Sequence, residues 1–331
     1  MSVTKILYSR GDRERGSGST MLVVMTGSSG LIGTALRRVL ESAGHEVKRV
    51  RRGTAQEGGQ YDVATRWVAS DALTGADAVV HLAGASIGSH RWTEKRRAEI
   101  RSSRVDATRL LVDAMALLDR RPAVFMVASG VGYYGDAGEG IVDESAAPGS
   151  GFLAELVQDW EAEARRAEAL GVRVVSPRFG IVLSKEGGAL PQMVFPFRLG
   201  AGGPLGSGRQ WMSWVALEDA TGALAMLLQD GSASGPVNIV APTPATSRVF
   251  AKTLGKVMHR PALAPAPAFA LRLVLGKGRA DELLLVSQRV EPKRLRELGY
   301  AFRHPDLEGA LHSALHSDAV DASSQSVEIA R

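Results

Sequence analysis

One run, TGSSGLIG at 26–33, constrains this chain more than any other. It follows the short apolar run MLVVM (21–25) directly. It also opens LIGTALRRVLESAG (31–44), where Leu31, Ile32, Ala35, Leu36, Val39 and Leu40 recur at helical spacing and Gly44 stops the pattern. A strand, a glycine-rich turn and a helix in immediate succession begin a βαβ unit. Gly27, Gly30 and Gly33 are spaced GxxGxxG. One glycine permits the tight turn, the next lets backbone approach a pyrophosphate, and the last lets the helix pack closely on the strand. The pyrophosphate then faces the free N–H groups of the helix N-terminus, where the dipole favours its charge.

The alternation continues. HEVKRV (45–50), ADAVVHLAG (76–84), AVFMVAS (123–129) and VRVVSPRFGIVL (172–183) read as strands, with helices over about 94–118 and 151–170. Val/Ile/Ala strands separated by amphipathic helices indicate a parallel sheet covered on both faces. The expected fold class is α/β, a Rossmann-type doubly wound parallel sheet with a smaller, mostly helical C-terminal lobe. Beyond it lie a glycine-rich loop, LGAGGPLGSGRQ (199–210), a lone strand PVNIVAP (236–242) and short helices from about 246 onward. The expected division is a tail over 1–20, a nucleotide-binding domain over 21–185, and a substrate-side lobe over 186–331. Segments at about 212–230 return to the first domain, and about 265–317 form a small C-terminal domain. Met21 is an alternative start.

The end of the second strand selects the cofactor. An acid there would bond a ribose 2′-hydroxyl, whereas arginine accommodates a 2′-phosphate. The chain reads KRVRRG, with Arg51 and Arg52 and no acid before Glu57, so NADP(H) is expected. Other partners are disfavoured. The 40 Lys and Arg exceed the 35 Asp and Glu by five, and the excess is scattered, so nucleic acid is not expected. The densest basic run, EKRRAEIRSSR (94–104), reads as a solvated helix face. There is no cysteine, and the seven histidines include no HExxH; the lone i, i+4 pair His312 and His316 reads as surface, so no metal is expected. The longest apolar stretch, 262–275, is broken by prolines and arginine and is too short for a membrane span, so a cytoplasmic protein is expected.

TGSSGLIG, HLAG (81–84), VASGVGYYG (127–135), PRFGIVL (177–183) and WVALEDA (214–220) fall in the order of the extended short-chain dehydrogenase/reductase superfamily, which the chain resembles. RWTEKRRAEIRSSRVDATRLLVDA, FLAELVQDWEAEA, PFRLGAGGPLGSGRQWMSWV and SQRVEPKRLRELGYAF narrow this. They resemble an atypical epimerase-like subfamily of the NAD-dependent epimerase/dehydratase group, sometimes labelled nucleoside-diphosphate-sugar epimerase, with its own small C-terminal domain. The resemblance covers about 21–317. It implies cofactor contacts at Thr26 and the glycine loop (Gly27, Gly30, Leu31, Ile32 and Gly33) and at Leu82, Ala83 and Gly84. It also implies that Gly180 and Ile181 bracket the nicotinamide carboxamide. The loop carrying Gly206, Gly208, Arg209 and Gln210 would line the substrate groove, with Arg209 and Gln210 as substrate residues or Arg209 as a plain surface arginine. A small-molecule substrate, no nucleic acid, no membrane, and a monomer or homodimer follow from it; the helices at 94–118 and 151–170 are the ones a dimer would use.

One part of the family pattern is missing. Relatives that move hydride use Tyr-x-x-x-Lys, in which the lysine lowers the tyrosine pKa and holds the nicotinamide ribose. Four residues after Tyr8, Tyr61, Tyr133, Tyr134 and Tyr300 stand Asp12, Thr65, Ala137, Gly138 and His304. At the expected place, GSGFLAELVQDWEAEA (149–164) offers Phe152 or Leu153 for the tyrosine and Leu156 or Val157 for the lysine. Phe152, Leu156 and Trp160 make an i, i+4 row, which reads as an apolar face with no titratable group. The asparagine of the preceding helix is replaced by Ser103 or Arg104. The family's serine aligns with Ser129 or with Gly130. The remaining candidates for proton transfer are Ser129, Tyr133 and Tyr134, with Tyr134 open to a second reading as a packed aromatic. Two functions fit: an NADP(H)-dependent oxidoreductase or epimerase-like enzyme acting on a small hydroxyl or carbonyl compound, or a non-catalytic NADPH-binding redox sensor.

Overall fold

The computed structural model describes residues 20–316; the proposed tail, apart from residue 20, lies outside them. The glycine turn joins β1 (Leu22–Thr26) to α1 (Leu31–Ser42), and β2 (Glu46–Val50) pairs in parallel with β1. The chain then crosses to β3 (Ala78–His81), on the other side of β1, and runs outward through β4 (Val124–Val127), the short β5 (Ser129–Gly130) and β6 (Arg173–Phe179). At Gly180 it bends into β7 (Ile181–Leu183), which leaves the main sheet to pair with β8 (Trp214–Ala216). The edge strand is β9 (Gly235–Ile239), giving the order β9-β6-β4-β3-β1-β2, all parallel, with β5 beside β6. The chain leaves β1 in opposite directions toward β2 and β3. Their carboxyl ends therefore part beside β1, the switch point where open α/β sheets bind ligands.

Helices cover both faces, because successive strand residues point to opposite sides. Val23 and Met25 pack with Leu36 and Leu40 of α1 and Leu224 and Leu227 of α6 (Leu217–Gln229). Val24, Val79 and Phe125 face α2 (Glu94–Ser102), α3 (Val105–Ala116) and α4 (Phe152–Arg165), which contribute Ile100, Leu111 and Trp160. A third core lies between α5 (Leu190–Arg198), α7 (Ser247–Met258) and the last described helix, Leu307–His316. No described helix is long and apolar enough to cross a membrane.

The structure corrects three element expectations. The long helix at 94–118 breaks into two at a turn over Ser103–Arg104, where Arg104 turns its side chain inward. The strand at 172–183 is two strands, Arg173–Phe179 and Ile181–Leu183, interrupted at the closely packed Gly180. A Cβ there would come 2.6 Å from the Ser213 carbonyl oxygen and 2.8 Å from Val240 Cγ1. The strand taken as lone, 236–242, is the sheet edge β9.

Candidate functional site

The glycine loop is pressed against the end of β3. Gly27 has φ +68°, and a Cβ on it would lie 2.6 Å from both Ala83 N and Leu82 C. A Cβ on Gly33 would run into the Gly27 carbonyl and come 2.9 Å from Ser28 Cα. The loop closes on itself through the Gly30 N–H, which donates to Gly27 O at 3.0 Å. The first turn of α1, with Leu31, Ile32 and Gly33, carries no acidic side chain and no side-chain cap, so its amides point outward with the positive end of the dipole unneutralised. Thr26 Oγ1 lies 2.5 Å from His81 Nδ1. His81 is wholly buried, and burial first, then the charge of Arg104, drive its pKa down to about 3, so it stays neutral.

The arginines after β2 divide their work. Arg51 donates through Nη2 to Gly58 O at 2.8 Å, and Arg52 lies exposed beside Tyr61. Arg49, passed over in the sequence because it lies within the strand, donates through Nε to Ser28 Oγ at 3.2 Å and so stands at the rim of the glycine loop. Alternation along β2 puts Arg49 and Arg51 on one side and Arg52 on the other.

The serine stretch leads into a buried charge network. Ser129 Oγ donates to Glu161 Oε1 at 2.6 Å. Arg178 grips the same carboxylate with Nε to Oε1 and Nη2 to Oε2, both at 2.8 Å, the paired geometry of a strong charge-assisted contact. Arg178 Nη1 donates to Tyr134 Oη at 3.1 Å, and Tyr134 in turn donates to Asn238 Oδ1 at 2.7 Å. Ser129, Tyr134, Glu161, Arg178 and Asn238 are all buried. Burial raises the Tyr134 pKa to about 12, against the opposing effects of Arg178 and Asn238. Burial alone would lower the Arg178 pKa, but its hydrogen bonds to Glu161 and that carboxylate's charge outweigh it and push it up.

One reading changes here. Helix α4 does carry a titratable group on its inner face, Glu161, one residue past Trp160, and its partner Arg178 lies inside β6. The signal was present: an arginine in the apolar run VRVVSPRFGIVL must find a buried partner. Tyr133 differs from Tyr134. It is half-buried, its ring centroid is 3.5 Å from Arg178 Cζ, and its hydroxyl has no protein partner among the described residues.

Phe152 and Leu153, the residues expected to stand in for the tyrosine, open helix α4. The N–H of Leu153 is taken by Glu282 Oε2 at 2.8 Å, while Phe152 packs edge-on to Trp92 at 5.3 Å. On the substrate side, Gln210 is buried and its amide donates to Leu205 O and Leu284 O, both at 3.0 Å, so it ties the glycine-rich loop to the C-terminal segment. Arg209 beside it is exposed. Gln288 completes the tie, donating to Val131 O and Gly135 O at 3.0 Å. Among the described residues no three His, Asp or Glu side chains gather as a metal-binding group.

Residues 23–240 match the model of the NAD dependent epimerase/dehydratase family. The chain belongs to this family. Residues 266–314 of this epimerase-family chain match a domain of unknown function, DUF1731, in agreement with the small C-terminal domain that the motifs implied. Epimerase family protein Mb2239 of Mycobacterium bovis is 42% identical over 299 residues, 88% of this chain and 96% of that protein. The crystal structure of human epimerase family protein SDR39U1 with NADPH superposes with a TM-score of 0.80 at 36% identity, covering 89% of this chain and 99% of that one. MoeE5 in complex with UDP-glucose and NAD gives a TM-score of 0.70 at 21% identity, over 88% and 96% of the two chains, a likeness of fold alone.

Proposed function

We propose that this chain is an NADP(H)-dependent enzyme of the epimerase family that acts on a small hydroxyl or carbonyl compound without a Tyr-Lys pair. The observation that carries the reading is the cradle: a glycine loop packed against Leu82 and Ala83, open α1 amides, and Arg49 at its rim. The human relative crystallised with NADPH supports the 2′-phosphorylated form. Bound there, the cofactor would supply or accept hydride. Gly180 and Ile181, at the bend where the chain crosses Ser213, are assigned to its carboxamide end.

Arg49 is assigned the 2′-phosphate, with Arg51 and Arg52 in support. A charge-assisted hydrogen bond contributes about 1.5–3 kcal/mol, so Arg49→Ala is expected to weaken NADPH binding about 10- to 100-fold. NADH binding should change little. Arg51→Ala should cost less, since its guanidinium is already engaged by Gly58. Fluorescence titration of both cofactors checks this, and equal losses for NADPH and NADH would remove Arg49 from the role.

Ser129 and Tyr134 are assigned to positioning, because their hydroxyls donate to Glu161 and Asn238. Tyr133 is assigned proton transfer: its hydroxyl is uncommitted, and the guanidinium of Arg178 lies over its ring. The test follows deuterium from labelled NADPH into fractionated metabolites. Transfer by the wild type is expected, with loss of about 100-fold or more in Tyr133→Phe while NADPH binding is retained. Unchanged transfer in Tyr133→Phe would return the role to water or another group. NADPH binding with no transfer, and no exchange in the presence of NADP+, would favour the sensor.

A further inference from the structure

Resting on that reading, we propose that Arg104 is the seat for an oxyanion, a carboxylate or a phosphate, carried by the substrate. Arg104 stands at the break between α2 and α3, and its guanidinium turns toward the end of β3. All its hydrogen bonds leave from one nitrogen: Nη1 reaches Ala85 O at 3.0 Å, Ile100 O at 3.2 Å and Ser103 Oγ at 3.4 Å. Nε and Nη2 have no hydrogen-bond acceptor among the described residues, and the residue as a whole is half-buried. Gly84 leaves room for the guanidinium, since a Cβ there would lie 3.0 Å from Cζ and 3.1 Å from Nη2. The ring of Trp160 backs it at 5.3 Å.

The missing element is a counter-ion. Among the described residues no carboxylate lies within ion-pair distance of Arg104, whereas the buried Arg178 has Glu161. The nearby charge is of the same sign: burial first, and then Arg96, pull the Arg104 pKa down to about 10. Carbonyl contacts at the end of α2 and the aromatic ring offset part of the cost of enclosing a cation. They leave one edge of the fork open, and that edge has the geometry for two oxygens of one oxyanion. Arg97 also lies over an aromatic ring of α4, 5.1 Å from the centroid of Phe152. Phe152 and Trp160 are eight residues apart on α4, about 12 Å along the helix, so the row that lacks the Tyr-Lys pair is overlaid by two guanidiniums. The α1 amides and Arg49 are assigned to the cofactor's phosphates, which leaves the Arg104 oxyanion to the substrate.

The experiment titrates glycolate and, separately, inorganic phosphate into NADP+-saturated protein at fixed chloride, following thermal stability, with NADPH affinity measured in parallel. A saturable rise in Tm with one anion is expected, and which one answers names the substrate's charged group. Arg104→Met should abolish the response while NADPH affinity stays within about twofold, and Arg104→Lys, which keeps the charge but loses the fork, should weaken it about fivefold or more. No saturable response to either anion in the wild type, or full response in Arg104→Lys and Arg104→Met, would overturn the proposal. So would a tenfold or larger loss of NADPH affinity in these variants, which would give Arg104 to the cofactor. Should the wild type fail to bind NADPH, the same titration on the free protein still reads the oxyanion seat, so failure of the cofactor reading is seen separately.

Discussion

Glu161→Ala is expected to destabilise the folded protein by about 3–5 kcal/mol, because it leaves the Arg178 guanidinium buried without its carboxylate. The loss spreads along the network. Ser129 loses its acceptor, and Arg178 keeps only Tyr134 among its side-chain hydrogen-bond partners. Urea unfolding of wild type and variant measures the difference. An exposed pair such as Arg37–Glu41 sets the contrast: it also has a 2.8 Å contact, but Glu41→Ala should cost under about 1 kcal/mol because water screens it. Removing both buried charges together, as Glu161→Leu with Arg178→Met, should recover much of the loss, since no unpaired charge remains in the interior. A cost near that of the surface pair would mean that water reaches Arg178 and that the network does not position Ser129 and Tyr134.

That network also marks where the sequence stopped being readable. The sheet was legible because its central strands β1, β3 and β4 are short, almost wholly apolar runs, and their neighbours are amphipathic helices of ordinary length. The glycine turn was legible because glycines so spaced at a strand–helix junction call for a tight turn with close backbone packing, and Gly27 does approach Leu82 and Ala83 closely. Glu161 was missed for a local reason. The i, i+4 row was followed from Phe152 to Trp160 and stopped there, while the inward face of α4 is wide enough to include the next residue. Its meaning depends on Arg178, 17 residues on in another element, and no helical period encodes that pairing. Gln210 is similar. A polar residue in a glycine-rich loop looks available to a ligand, and only the path of the C-terminal segment past Leu284 shows that its amide is used internally. Arg49 lies within the strand and not at its end, where a cofactor-selecting residue is expected, although the two-residue period of β2 carries it to the same side as Arg51. The break at Arg104 has no glycine or proline to announce it, so helical spacing ran straight through it.

Gly27→Ala is expected to remove cofactor binding, with NADPH affinity reduced about 100-fold or more, equivalent to about 3 kcal/mol. Two effects act together at this residue. Its φ of +68° is one an L side chain adopts only with strain, at about 1 kcal/mol or more. The added methyl would also lie 2.6 Å from Ala83 N and Leu82 C, and these are backbone atoms of a central strand end, which cannot swing aside. The loop must therefore lift, carrying the Gly27 carbonyl and the α1 amides away from the positions a pyrophosphate would need. Gly44→Ala separates the two causes. Gly44 also has positive φ, at +85°, but nothing lies within 4 Å of an added Cβ, so this variant carries the strain without the collision. It should lose about 1 kcal/mol of stability and bind NADPH as the wild type does. Gly33→Ala supplies the complementary case: its methyl would meet the Gly27 carbonyl and Ser28 Cα, while alanine's better helix propensity of about 1 kcal/mol offsets part of the cost to folding. Binding should then fall more than stability does. Wild-type NADPH affinity in both Gly27→Ala and Gly33→Ala would mean that the loop is only a tight turn, and the cofactor would have to be sought at another strand end.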